Sequence, residues 1–200
     1  MGEVLEIFSP ERVVFTYGYA SGKPIPPGSS RVTIHLEADA KGTRLHLAHE
    51  FAEAAVRDQH IQGWRFQLSL FGNVVANEVN AGAAGIVDAW FAAWFEADEG
   101  KRAEVLARIA TPAIRFRDRF SLLDGLEDLT AHIGAALRFM PGMRLERKGS
   151  IRHCQGTVLA DWIASGNDGQ EREAGTSVFG LGADGRIDSV TSLRNEPATK

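Results

Sequence analysis

The stretch 113–120, which reads AIRFRDRF, places a carboxylate where an alternating strand would carry a core side chain. Apolar and charged residues alternate with a period of two, as they do in a half-buried strand. Ile114, Phe116 and Phe120 are predicted to share the apolar face. Asp118 falls in phase with them, although burying a carboxylate is unfavourable unless it is paired, hydrogen-bonded or protonated. We therefore interpret Asp118 either as a satisfied structural group or as the acid/base residue of a pocket.

Two other side chains have the chemistry to transfer protons beside Asp118. Asp161 lies in the sequence VLADWIA, in phase with Leu159 and Ile163 and out of phase with Trp162. Together with Asp118, it would let one carboxyl group donate a proton while the other accepts one. His132 lies on the flank of the apolar face of a predicted helix, and histidine titrates near neutral pH. Each has a structural alternative: a salt bridge to an arginine on a neighbouring strand for Asp161, and a hydrogen-bonded packing position for His132.

A second strand pattern, at about 143–153, contains candidates for binding an anion. Arg147 and His153 share a predicted face with apolar residues, where they would hold an anionic group or neutralise Asp118. Gly149 is a candidate β-bulge, and one extra residue there would reverse the phase of the strand beyond it.

The composition limits the class of protein. The formal net charge of −4 is divided evenly between the two halves of the chain, which favours neither nucleic acid nor an anionic membrane as a partner. The single cysteine, Cys154, excludes an internal disulfide framework and is typical of a reducing cytoplasm. No apolar run approaches the roughly 20 residues of a membrane span, and the N-terminus lacks a signal pattern, so we predict a soluble, cytoplasmic protein. Zinc, phosphate-loop, dinucleotide and nucleophile-elbow signatures are lacking, so neither a metal nor a cofactor is predicted.

The first half of the chain has the pattern of an antiparallel meander followed by a helix. Four short strands, separated by turns that contain glycine, are predicted within residues 4–51. Apolar residues then recur every three or four positions from about residue 55, which predicts an amphipathic helix of about 20 residues.

Three motifs of this half, PERVVFTY (10–17), SRVTIHLE (30–37) and GTRLHLAH (42–49), carry a resemblance to a known family. The segment resembles the C-terminal portion of the START-like (SRPBCC) helix-grip family, in the branch related to the heat-shock-ATPase activator. The resemblance predicts a partial START-like segment at 1–78. Because that family begins with a strand, two short helices and two further strands, we expect a truncated gene product or a misassigned start. Half a sheet would not enclose the family's ligand cavity alone.

The second half has the order helix, helix, strand, helix and four strands. Two helices are predicted at about 86–95 and 101–109, before the strand that holds Asp118. Asp124 and Glu127 have capping-box spacing, which predicts the start of a third helix that Pro141 and Gly142 end. The four strands are expected at 143–153, 157–165, 174–182 and 186–194, with hairpin turns at 167–169 and 183–185.

This order is similar to that of the SnoaL-like, nuclear-transport-factor-2-like cone, and the motifs WFAAWFEAD (90–98), IRFRD (114–118) and DGRI (184–187) carry the resemblance over 79–200. It implies a cone of helices packed on a curved antiparallel sheet. In the ketosteroid isomerases of this superfamily, the position of Asp118 is that of the general base. Trp90 stands where their oxyanion-hole Tyr would be, and Ser177 where their protonated Asp would be. Because these residues stabilise an oxyanion less well, the resemblance does not extend to steroid-type isomerisation.

The sequence thus predicts an α+β protein with a truncated antiparallel sheet and long helix at 1–78 and a complete cone at 79–200. The pocket of the cone is predicted to bind a small hydrophobic or polyketide-like metabolite, with cofactor-free isomerase, cyclase or hydrolase chemistry as an option. The alternative is a non-catalytic binding or dimerisation module with a filled pocket. The chain is expected to form a homodimer. The candidate catalytic residues are Asp118, Asp161 and His132. The candidate ligand-binding residues are Trp90, Trp94, Phe116, Arg147, His153 and Ser177.

Overall fold

The computed structural model describes residues 1–40 and 42–195, which form an α+β fold. The chain divides into two compact units, Met1–Gly72 and Asn73–Lys200, and the division falls within a long helix. In the described ranges, no helix combines the length and the apolar character needed to cross a bilayer.

The first unit is an antiparallel meander followed by a helix, as the sequence pattern predicts. The strands pair in chain order and are β1 (Val4–Phe8), β2 (Arg12–Tyr17), β3 (Ser30–Asp39) and β4 (Gly42–Glu50). Helix α1 spans Ala54–Val79. The indole N–H of Trp64 donates to Nδ1 of His49 at 2.9 Å, which ties α1 to the end of β4.

The second unit packs three helices against one face of a six-stranded sheet. Its elements are α2 (Ala83–Ala93), α3 (Glu99–Ile109), β5 (Ala110–Arg117), β6 (Leu122–Asp124), α4 (Leu126–Phe139), β7 (Arg144–Cys154), β8 (Thr157–Ser165), β9 (Glu171–Leu181) and β10 (Ile187–Arg194). The strand order is β6-β5-β10-β9-β8-β7, and the one parallel pair in this sheet is β5 with β10. The predicted element order is therefore confirmed, with β6 as an addition.

Alternation along the strands decides which side chains reach the core of this unit. On β8, every second residue from Val158 to Ala164 is buried, and the residues between them face outward. The predicted hairpin turns are also confirmed, because Gly166 N–H donates to Gln170 O and Gly182 N–H donates to Arg186 O. These turns connect β8 to β9 and β9 to β10.

The predicted capping box at the start of α4 is wrong. Asp124 is the last residue of β6, and the N-cap position is Gly125, which has a φ of +98° and no side-chain hydrogen bond. Glycine adopts this backbone conformation without the steric cost that other residues carry. By contrast, α3 has a side-chain cap, because Asp98 accepts a hydrogen bond from the backbone N–H of Lys101 at 2.9 Å.

Candidate functional site

The second unit contains a cavity of about 230 Å³ with largely aromatic walls. Trp90 reaches it from α2 and Trp94 from the C-cap position of that helix. Phe116 reaches it from β5 and Trp162 from β8. The ring centroids of Trp94 and Phe116 lie 5.4 Å apart, and those of Trp90 and Phe116 lie 5.9 Å apart. Such a surface packs against an apolar molecule. The other residues that line the cavity are Phe91, Asp118, Arg119, Phe120, Met140, Met143, Leu145, Ala164, Glu173, Ser177, Ser192 and Arg194.

Asp118 lines this cavity and also forms the turn that ends β5. Its Oδ1 accepts hydrogen bonds from the backbone N–H groups of Phe120 at 2.8 Å and Ser121 at 2.6 Å. Its own N–H donates to the carbonyl of Ser121 at 3.0 Å. Among the described residues, no hydrogen bond reaches Oδ2, so that oxygen is free to accept a proton or a hydrogen bond from a bound molecule.

The same turn corrects the prediction for Phe120. The alternating pattern predicts that this side chain shares the core face, but it is 80% exposed. Local hydrogen bonds between the Asp118 side chain and the backbone end the strand before the alternation ends in the sequence. Phe120 therefore reaches the mouth of the cavity from a turn rather than from a strand.

A pair of serine hydroxyls forms a polar spot on the aromatic wall. Ser177 on β9 is 1% exposed, and its Oγ lies 3.0 Å from the Oγ of Ser192, which is directly opposite on β10. One hydroxyl donates to the other, so the pair retains one O–H that can donate to a ligand oxygen. Trp162 lines the same cavity, and its buried indole N–H has no hydrogen-bond partner in the described part of the chain. An unpaired buried donor costs about 1–3 kcal/mol, so a bound acceptor there would be stabilised.

His132 lies behind the cavity wall. Its Nε2 is 3.3 Å from the hydroxyl of Ser121, the residue whose N–H holds Asp118. Its ring also contacts the rings of Trp94 and Phe116, with centroids 6.1 and 6.3 Å away. His132 does not itself line the cavity. The geometry connects it to Asp118 through Ser121 of the turn.

Asp161 lies on the opposite face of the sheet from the cavity. Its Oδ1 accepts a hydrogen bond from the hydroxyl of Thr176 at 2.6 Å and lies 3.4 Å from Arg152. The neighbouring Trp162 faces inward, in agreement with the opposite phase of the two residues in the sequence. Asp118 and Asp161 therefore do not form the acid/base pair that we considered, and the salt-bridge alternative describes Asp161.

Arg147 and His153 face the inner side of β7 but do not reach the cavity. Arg147 forms two hydrogen bonds with Asp88 on α2, at 2.6 and 3.0 Å, and this guanidinium lowers the pKa of the Asp88 carboxyl. His153 Nε2 accepts the backbone N–H of Gly156 at 3.0 Å. The two residues thus join α2 to the sheet and order the β7–β8 turn.

The predicted bulge at Gly149 is present, but its effect on phase differs from the expectation. Lys148 pairs with Asp161 and Arg152 pairs with Leu159, so the irregularity adds two residues to β7. An even number of extra residues leaves the alternation unchanged. Arg147 and His153 therefore stay on one face on either side of the bulge.

Sequence reasoning missed several residues of the cavity wall. Trp162 and Ser192 contribute an indole N–H and a hydroxyl, and Arg119 lies at the mouth beside an ion pair of 3.1 Å between Glu173 and Arg194. The alternation of VLADWIA separates Trp162 from Asp161 but leaves apolar residues on both phases, so the sequence pattern does not identify the inward residue. Among the described residues, no group of three or more His, Cys, Asp or Glu side chains is arranged to hold a metal ion.

Residues 1–76 match the model of the family described as Activator of Hsp90 ATPase homolog 1-like protein. The match covers the four-stranded sheet and nearly all of α1, in agreement with the resemblance of the sequence motifs. Among curated proteins, none matches the chain in sequence.

Solved structures are similar to the second unit. A candidate isomerase of the SnoaL-like family from Agrobacterium tumefaciens str. C58 has 26% identity and a TM-score of 0.54, and the match covers 56% of this chain and 97% of that chain. A candidate SnoaL-like polyketide cyclase from Jannaschia sp. CCS1 has 16% identity and a TM-score of 0.49, and the match covers 58% of this chain and 88% of that chain. The chain therefore joins a segment that matches the Activator of Hsp90 ATPase homolog 1-like family to a unit with the SnoaL-like, nuclear-transport-factor-2-like cone fold.

Proposed function

We propose that the cavity of the second unit binds a small, largely apolar metabolite with a carbonyl or hydroxyl oxygen. The observation that carries the proposal is the cavity of about 230 Å³, in which tryptophan and phenylalanine rings surround a few polar groups. Small-molecule sites have this combination, because apolar walls supply affinity and a few polar atoms fix orientation. The cavity is open, and this observation argues against the alternative in which aromatic side chains fill the pocket.

The polar groups suggest how such a molecule would be oriented. The free proton of the Ser177–Ser192 pair is available for a ligand oxygen. Asp118 offers Oδ2 as an acceptor for a proton or a hydroxyl group, while its Oδ1 is held by two backbone N–H groups. A carboxylate fixed in this way is suited to remove a proton from carbon next to a carbonyl group. We therefore assign Asp118 as the base of a cofactor-free proton transfer on the bound molecule.

A non-catalytic binding module is the second candidate function. The turn at the end of β5 accounts for both hydrogen bonds of Asp118, so a structural role explains this residue without chemistry. In that case, the cavity binds its ligand and releases it unchanged.

Binding is tested with 2-tetralone, a neutral bicyclic ketone, by calorimetry and by the fluorescence of the tryptophans in the wall. The variant Ala164→Leu places a larger side chain on the cavity wall and is expected to weaken binding at least about tenfold. Ala174→Leu is the matched control, because Ala174 pairs with Ile163 on the outer face of the sheet. Circular dichroism establishes that both variants fold. Equal affinity of the two variants would show that 2-tetralone does not bind in this cavity.

Catalysis is tested by the exchange of the acidic C–H protons of 2-tetralone in D₂O, followed by NMR. The wild-type protein is expected to accelerate exchange over buffer, and Asp118→Asn to lose at least about 100-fold of that acceleration, the usual contribution of a positioned base. Asp161→Asn is the control, because it removes a carboxylate from the other face of the same sheet. It should accelerate exchange as much as the wild type does. If Asp118→Asn binds 2-tetralone and accelerates the exchange of its C–H protons as the wild type does, Asp118 is not the base. The binding module is then the better description.

A further inference from the structure

A groove adjoins the cavity where the parallel strands β5 and β10 end. The groove has a volume of about 570 Å³ and shares Asp118, Arg119, Ser192 and Arg194 with the cavity. Arg117 and Thr191 stand opposite each other in the parallel register and line the groove but not the cavity. Each follows a buried neighbour, Phe116 or Val190, so both lie on the outer face of the sheet. Because the two spaces share four residues at the ends of the strands, a molecule bound between the aromatic walls would lie next to this groove.

Arginines dominate the charge of the groove and the cavity mouth. Three arginines, Arg117, Arg119 and Arg194, and two carboxylates, those of Asp118 and Glu173, line the groove and the cavity taken together. Arg194 is paired with Glu173 at 3.1 Å, and the carboxylate of Asp118 is bonded to backbone N–H groups. Within the described ranges, neither Arg117 nor Arg119 has a carboxylate at ion-pair distance. Because the whole chain carries a formal charge of −4, this positive spot is a local feature.

We propose that the ligand of the cavity is a carboxylic acid whose apolar body lies between the aromatic rings and whose carboxylate lies in the groove between Arg117 and Arg119. A guanidinium group binds a carboxylate through two parallel hydrogen bonds, and both arginines are free to do so. The arginines outnumber the carboxylates of the wall by only one, so a singly charged group fits better than a phosphate dianion. This inference rests on the proposed function, because it places the ligand in the same cavity.

The test compares 1-naphthaleneacetate with 1-naphthaleneacetamide, which share their ring and length and differ in charge at neutral pH. Calorimetry on the full-length chain at low ionic strength is expected to give about fivefold tighter binding of the acid, the contribution of an exposed ion pair. Salt screens such exposed pairs, and in 0.5 M salt the Debye length falls to roughly a few ångströms. The preference for the acid should therefore shrink.

Two sets of variants separate this inference from a general effect of charge. The double variant Arg117→Gln, Arg119→Gln should lose the preference for the acid and bind the amide as the wild type does. Arg115→Gln is the matched control, because Arg115 lies two positions before Arg117 on the same strand and lines neither the cavity nor the groove. It should keep the preference.

Each remaining outcome overturns a defined claim. Equal affinity of the wild type for the acid and the amide, with both weakened by Ala164→Leu, overturns the carboxylate assignment and leaves the cavity as a binding site. Tighter binding of 1-naphthyl phosphate than of the acetate also overturns it, in favour of a dianion. Binding of neither naphthalene compound at millimolar concentration overturns this inference, and the separate 2-tetralone measurement then decides whether the proposed function stands.

Discussion

The hydroxyl oxygens of Ser177 and Ser192 lie 3.0 Å apart on facing positions of β9 and β10, on the wall of an otherwise aromatic cavity. Only one of the two protons is needed for the bond between them. Under the proposed function, the remaining proton is the donor to a ligand carbonyl, in the position where the resemblance to ketosteroid isomerases would place a protonated carboxylic acid.

We expect Ser177→Ala to weaken the binding of 2-tetralone about fivefold, since a net hydrogen bond is worth about 1 kcal/mol. Thr176→Ala removes a hydroxyl from the adjacent residue on the outer face and should leave the affinity unchanged. Calorimetric titration of both variants is the measurement. A larger loss for Thr176→Ala than for Ser177→Ala would contradict a role for the serine pair in binding.

Most of the fold could be predicted from the sequence, because period-two and helical patterns report directly which side chains face a core. That Asp161 and Trp162 lie on opposite faces follows from alternation alone, but which face is inward does not, because both phases of this strand contain apolar residues. The end of β5 could not be predicted in this way. The alternation continues to Phe120, whereas the side chain of Asp118 turns the chain after Arg117.

The register between β9 and β10 explains why the sequence pattern did not identify Ser192 as a residue of the cavity wall. Ile187 pairs with Leu181 but Ser189 pairs with Gly180, so one residue of β10 is left without a partner between them. Without this irregularity, Thr191 would stand opposite Ser177 and Ser192 would point to the other face. A turn motif predicts a hairpin but not such a shift.

Three expectations from the sequence stay predictions. They are the domain boundary between residues 78 and 79, the homodimer and the cytoplasmic location.

The first unit should lose stability in mild acid. Burial, and next the charge of His60, lower the pKa of His49 to about 4 from its ordinary value of 6.5. His49 is held neutral by its partners: Nδ1 accepts from Trp64, so Nε2 carries the proton toward the hydroxyl of Ser30, at 2.8 Å. The unfolded chain takes up a proton near pH 6.5 and the folded chain does not. This contribution to stability is therefore full above pH 6.5 and is lost as the pH falls toward 4.

Imidazole NMR titration of His49 and urea unfolding between pH 4 and 7 are the measurements for this prediction. In His49→Gln, the pH dependence of unfolding should flatten over that window. His46→Gln is the control, because His46 is an exposed residue of the same strand. An NMR titration midpoint of His49 at its ordinary value would contradict the prediction.

Arg102 should be replaceable by an apolar residue of similar length. Its side chain on α3 is 4% exposed, its Nη1 donates to the carbonyl of Glu96 at 2.7 Å, and its Nε has no partner among the described residues. Removing a poorly satisfied buried charge offsets the loss of one hydrogen bond. We expect Arg102→Met to change the free energy of unfolding by less than about 1 kcal/mol and Arg102→Ala to lower it by about 2 kcal/mol or more, through lost packing. Chemical denaturation compares the two, and equal destabilisation would mean that the charge itself is required.

Gly175 should be essential for the packing of the Trp162 ring in the cavity wall. A Cβ at position 175 would overlap the carbonyl oxygen of Leu193 and the six-membered ring of Trp162, neither of which is free to move within the sheet. We therefore expect Gly175→Ala to lower the free energy of unfolding by about 1–3 kcal/mol and to weaken the binding of 2-tetralone, because the displaced ring lines the cavity. Gly180→Ala is the control on the same strand, since its Cβ would meet only the side chain of Ser189, whose hydroxyl, at 2.6 Å, can rotate away.

The measurements are urea unfolding and calorimetric titration of both variants. If Gly175→Ala is as stable as Gly180→Ala and binds as the wild type does, the close contact between residue 175 and Trp162 does not shape the cavity.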